Sequence, residues 1–132
     1  MGDCDQAASA ELLKAMADFN RGDWFESHEI LEELWFGERG ELRDFYQGLI
    51  QVAAALHHWR QGNLGGAVRL LETGARYLRR ARPVWLGLDA ADFASAADRL
   101  REELQTLGPG RMAELAPELI PRLRFVTEHS GD

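Results

Sequence analysis

Gly22-Asp23-Trp24-Phe25-Glu26-Ser27-His28-Glu29-Ile30-Leu31-Glu32-Glu33-Leu34-Trp35-Phe36 is the segment on which the reading of this chain turns. At about 100° per residue, Trp24, His28, Leu31 and Trp35 share one stripe, Ile30 and Leu34 lie beside it, and Glu26, Glu29 and Glu33 lie opposite. That periodicity predicts a helix to about Phe36. Gly22 ends the helix before it, and Asp23 with Glu26 three residues on makes a capping-box-like start. Laid on the chain at an offset of 40 residues, the segment repeats: Gly22-Asp23 falls on Gly62-Asn63, Ser27 on Ala67, Leu31 on Leu71 and Glu32 on Glu72. Each copy reads as a helix, a turn, and a helix with a small residue in its second turn, where two helices approach closely.

This pattern resembles the second half of a tetratricopeptide unit, although two copies fall short of the three or more a free-standing solenoid needs. The flanking sequence supplies the other helices. Leu12, Leu13, Met16 and Phe19 mark a first helix from about Ala10 to Asn20. Leu42 to Trp59 is apolar on most of its circumference and predicts a central helix from about Glu41 to Gln61. A fourth helix runs from Asn63 to about Arg82, and a fifth starts at the cap Asp89 and closes at Gly108-Pro109. Pro117 and Pro121 limit the tail to short pieces. The expected fold is all-α, a compact bundle of about five helices built from two helical hairpins plus a fifth helix. Its core is expected to include Trp24, Leu31, Trp35, Leu49, Ile50, Leu56, Leu71 and Leu78. Residues 10–127 form the single domain, with flexible ends at 1–9 and 128–132.

Composition agrees. The chain has 132 residues, with 18 Ala and 19 Leu against 10 Val, Ile and Thr, which favours helix over strand. The net charge of −7 excludes a general nucleic-acid binder. Charge is uneven, however: residues 1–59 hold 4 basic and 12 acidic groups, and residues 60–82 hold 6 and 1. No apolar run approaches the roughly 20 residues that span a bilayer, so no membrane role is expected. A single Cys4 and an N-terminus lacking a basic, apolar leader pattern point to the cytoplasm.

The chemistry-bearing residues lie on the second and third helices. Glu32 falls about 40° from His28, between it and the aromatic pair Phe25 and Phe36, so His28 and Glu32 read as an i,i+4 pair facing apolar surroundings. On the third helix Gln47, Gln51, Ala54 and His58 form a polar-to-small stripe, with His57 about 100° away. Facing stripes would gather His28, Glu32, Gln47, Gln51 and His58 in one pocket.

These residues also carry a resemblance. Glu26, His28, Glu29, Glu32 and Trp35, then Gln47, Gly48 and Gln51, then His58 before Gly62, Asn63, Gly66 and Ala67, resemble the signature of the "domain of unknown function 309" family. What the resemblance implies is a small cytoplasmic all-helical bundle; it implies no established activity.

Three readings follow from the residues. In the first, His28, Glu32 and His58 ligate a divalent metal such as zinc and Glu29 acts as general base in metal-assisted hydrolysis. In the second, the pocket takes a small organic ligand. In the third, the cluster is a buried hydrogen-bonded network that serves structure only, and the domain binds a peptide or forms homo-oligomers. Arg69, Arg76 and Arg80 recur at i, i+7 and i+11 on the fourth helix, as a solvated face or as a docking strip for an acidic surface such as the second helix of a twin subunit.

Overall fold

Five α-helices make up most of residues 8–126, the part of the chain that this computed structural model describes. They are α1 (Ala10–Arg21), α2 (Trp24–Phe36), α3 (Gly40–Arg60), α4 (Leu64–Arg80) and α5 (Ala90–Leu107). Each packs mainly on its neighbour in sequence, as short connections require. Phe19 of α1 meets Phe93 of α5 edge-on with ring centroids 5.5 Å apart, which brings the first and last helices together. α3 lies at the centre and buries Phe45, Leu49, Val52 and Leu56 among others. Of the expected core, Trp24, Leu31, Leu49, Ile50, Leu56, Leu71 and Leu78 are buried. Trp35 is only partly so, and the guanidinium of Arg43 lies 4.1 Å over its ring.

The offset of 40 residues is physical. Gly22 and Gly62 both take left-handed backbone, with φ of 92° and 80°, which glycine adopts without a side-chain clash. Ser27 and Ala67 are both fully buried, and the Ser27 hydroxyl donates to the Ala15 carbonyl of α1 at 2.8 Å. The caps differ. Asn63 Oδ1 accepts from the Gly66 N–H at 3.0 Å, whereas Asp23 makes no side-chain cap bond. The expected capping box at α2 is therefore absent, because the Asp23 carboxylate is drawn to Arg21 Nε at 3.0 Å.

Between α4 and α5 the chain forms a hairpin that periodicity did not predict: β1 (Val84–Trp85) pairs antiparallel with β2 (Leu88–Asp89). Leu86 and Gly87, at φ 52° and 84°, supply the two positive values of a type I′ turn. Beyond α5 come two short 3₁₀ segments, Pro109–Glu114 and Pro117–Leu119. The chain then returns as a strap along the hairpin. Asp89 N–H donates to Arg124 O at 3.1 Å and Val126 N–H to Gly87 O at 2.9 Å. The Asn20 side chain of α1 clamps the strap at Leu123, donating to its carbonyl at 3.0 Å and accepting from its N–H at 2.8 Å. Of the expected flexible ends, residues 1–7, with Cys4, and 128–132 lie outside the described residues, as does residue 127 of the expected domain; Ser9 is the N-cap of α1. Among the described residues, no helix is long and apolar enough to cross a membrane.

Candidate functional site

α2 has two opposed sides. Trp24, Ser27 and Leu31 are buried against α1 and α3. Opposite them, at i, i+4, i+7 and i+11, Phe25, Glu29, Glu32 and Phe36 lie within about 60° of one another on the helix surface. All four are exposed, Phe25 by 53% and Phe36 by 82%. Glu32 therefore faces outward, its side chain 58% exposed and 3.9 Å from His28 Nε2. The two aromatics beside Glu32 suggested an inward stripe, but they are themselves solvent-facing, so the expected burial of this carboxylate does not occur. Glu26, Glu29 and Glu33 are also exposed, and none of them forms an ion pair among the described residues. A shallow depression lined by Glu29, Glu32, Glu33, Trp35 and Phe36 occupies the C-terminal half of this face.

At the other end of α2, a cleft of about 220 Å³ opens between α2 and α3, lined by Trp24, Phe25, His28, Ala53, Ala54, His57 and His58. The two alanines create the space, and aromatic rings and imidazoles form its walls. His57, expected to point away, has its ring 6.0 Å from that of Phe25. His58 is fixed from behind: Asn63 Nδ2 lies 3.1 Å from its Nδ1. Because Asn63 Oδ1 is committed to the Gly66 N–H, the amide presents its donor, so the neutral His58 ring accepts at Nδ1 and carries its proton on Nε2.

The five residues expected in one pocket are thus distributed. His28 and His58 share the cleft. Gln51 accepts a hydrogen bond from the Thr73 hydroxyl of α4, Gln47 is part-buried on α3, and Glu32 is on the outer face. Gln51 of the α3 stripe faces α4, and only the stripe's other end, Ala54 and His58, reaches the cleft beside α2. Among the described residues no group of three or more His, Cys, Asp and Glu side chains is gathered to hold a metal ion. The set His28, Glu32 and His58 consequently forms no ligand cluster.

Several signature residues hold the fold. A Cβ at Gly48 would stand 2.5 Å from Leu78 Cγ and 3.0 Å from the Gly74 carbonyl, so Gly48 is where α3 and α4 cross. A Cβ at Gly66 would stand 2.7 Å from Asn63 Nδ2 and 3.2 Å from His58 Cγ, making His58, Asn63 and Gly66 one capping unit. Gly66 thus serves tight packing, whereas a Cβ at its neighbour Gly65 would meet nothing within 4 Å. Left outside any such role are Phe25, Glu26, Glu29, Glu32 and Phe36. Sequence reasoning missed the two phenylalanines as surface groups, although their position opposite Trp24 and Leu31 on the helix contained the signal.

Comparison with known proteins agrees with the resemblance read from the sequence. The family model described as "Domain of unknown function (DUF309)" matches residues 12–70. The chain is similar to "Uncharacterized protein YpuF" of Bacillus subtilis (strain 168), 36% identical over 88 residues, which cover 64% of this chain and 51% of that protein. It is also similar to an "Uncharacterized protein" of Aquifex aeolicus (strain VF5), 48% identical over 56 residues, 41% of this chain and 17% of that protein. The chain spans about half the length of the first relative and less of the second.

Proposed function

Taking residues 12–70 as a domain of unknown function 309, we propose that it is a protein-interaction module whose docking surface is the outer face of α2. The observation that carries this reading is the exposed line Phe25, Glu29, Glu32 and Phe36. Two aromatic side chains stand roughly 16 Å apart along the helix axis, with two carboxylates between them that no Lys or Arg pairs with among the described residues, Glu32 approaching only His28 at 3.9 Å. An 82% exposed Phe36 adds almost nothing to the bundle's own core, and aromatic rings flanking carboxylates on one helix face suit a cationic helical partner. The complementary partner is a helix with cations in the middle, to meet the carboxylates, and apolar or guanidinium groups at the ends, to cover the rings. The cleft beside Phe25 adds a socket for one apolar side chain.

The experiment is a titration of this protein into a fluorescently labelled synthetic helix bearing arginines at i, i+4 and i+7, followed by anisotropy. Binding should be saturable, and Glu29→Gln with Glu32→Gln should weaken it about tenfold or more. No binding, or binding indifferent to those substitutions, would overturn the reading.

One observation favours a second reading, a small-molecule pocket. His58 presents a fixed Nε2–H donor at an apolar cleft of about 220 Å³, somewhat below the roughly 300–1,000 Å³ of typical ligand pockets. A planar acceptor such as benzamide is the probe, and a shift of the His58 ring resonances on its addition is the expected sign. Metal-assisted hydrolysis has no such support, since its three candidate ligands are not gathered.

A further inference from the structure

A second outward line lies on α4. Its buried residues Ala67, Leu71, Gly74, Ala75 and Leu78 share one side, and opposite them Arg69, Arg76 and Arg80 fall within about 40° of one another. All three are exposed. Arg69 has no ion pair or ring contact among the described residues. Arg76 approaches Glu72 only at 3.6 Å, both side chains 59% exposed, and Arg80 rests 4.9 Å over the Tyr77 ring. Their neighbours are engaged elsewhere: Arg79 holds Asp98 at 2.5 Å, and Arg82 stacks 4.5 Å over Trp85.

The spacing of these arginines, i, i+7 and i+11, is that of Phe25, Glu32 and Phe36 on α2. Laid parallel, the two helices put Arg69 on Phe25, Arg76 on Glu32 and Arg80 on Phe36. Laid antiparallel, they put Arg69 on Phe36, Arg76 on Glu29 and Arg80 on Phe25. Either direction matches, because Glu29 and Glu32 stand symmetrically between the two rings. Guanidinium over an aromatic face and guanidinium against carboxylate are both favourable pairings, and arginine makes them better than lysine.

We propose that the partner docked on the α2 stripe is α4 of a second copy of this chain, through Arg69, Arg76 and Arg80. This rests on the docking reading of α2 given above and specifies its partner. Each copy carries both stripes, so every copy can offer its α4 and receive another on its α2, in a contact that joins unlike faces.

Each copy has a net charge of −7, and salt screens that long-range repulsion as well as the local pairs. A charge swap, not a salt series, is therefore the decisive experiment. Sedimentation velocity is run on the wild type, on Glu29→Arg/Glu32→Arg, on Arg76→Glu/Arg80→Glu, and on an equimolar mixture of the two variants, with circular dichroism melts to confirm that each variant is folded. The wild type is expected to self-associate, each variant alone to associate about tenfold or more weakly, and the mixture to recover the complex. The first variant loses association although its net negative charge is lower, which nonspecific repulsion does not predict. If a reversal prevents folding, Glu29→Gln/Glu32→Gln and Arg76→Gln give the same two single-variant comparisons. A wild type that stays monomeric while still binding the arginine helix overturns the self-docking inference and leaves the α2 docking reading standing. A monomer that binds no such helix overturns both. Self-association that neither variant weakens also overturns the inference.

Discussion

At Gly48, a single hydrogen in place of a methyl decides how closely two helices pass. The nearest atoms to an added Cβ are Leu78 Cγ at 2.5 Å and the Gly74 carbonyl at 3.0 Å, and the second of these is backbone that cannot rotate away. Gly48→Ala should therefore destabilise the protein by about 1–3 kcal/mol, read as a lower urea midpoint; an unchanged midpoint would mean that α3 and α4 are farther apart than described. Tyr46, 4% exposed, is held neutral by its surroundings: burial first, then the nearby Glu38 charge, push its phenol up from 10.0 to about 12. The fold favours the protonated form, so this contribution is whole below pH 10 and is lost as pH rises through about 12. The loss should be roughly 2–3 kcal/mol, and Tyr46→Phe should flatten that part of the stability profile. Equal slopes in the two proteins would contradict this.

At the scale of the element, helical spacing of apolar residues locates the five helices to within a residue or two, because a Gly, Asn, Asp or Pro marks their ends. The hairpin at Val84–Asp89 escaped that reading for physical reasons. Its strands are two residues each, too short to show alternation, and Leu86 gives no hint of the positive φ it adopts. The strap was equally hidden, since it is fixed by a side chain 103 positions away in sequence, Asn20. Asn20→Ala removes both of its hydrogen bonds to Leu123. It should raise amide hydrogen exchange at Leu123 and Val126 and lower stability by about 1–3 kcal/mol, with exchange in α3 unaffected apart from that global shift. If exchange along the strap does not change, Asn20 is not its clamp. The inside and outside of α2 are harder to tell apart from sequence: Phe25 and Phe36 suggest apolar surroundings for Glu32, yet all three side chains face solvent.

Over the whole molecule, the charge imbalance visible in the sequence acquires a location. Four of the twelve acidic residues of 1–59 are exposed on α2, three of the six basic residues of 60–82 line the outer face of α4, and α3 packs between the two helices. The sequence could show the imbalance and the helical spacing of each line, but not that Gln51 of the α3 stripe turns toward α4, since it finds its partner in Thr73 only once the helices are packed. The account stands on the outward role of α2, and Phe36 tests it most directly, because a side chain 82% exposed has little structural work to lose. The measurement is the affinity of Phe36→Ser for the arginine helix, paired with its urea midpoint. The account predicts an unchanged midpoint and affinity lowered about fivefold or more, the loss of one desolvated aromatic contact; wild-type affinity in a protein of wild-type stability would contradict it.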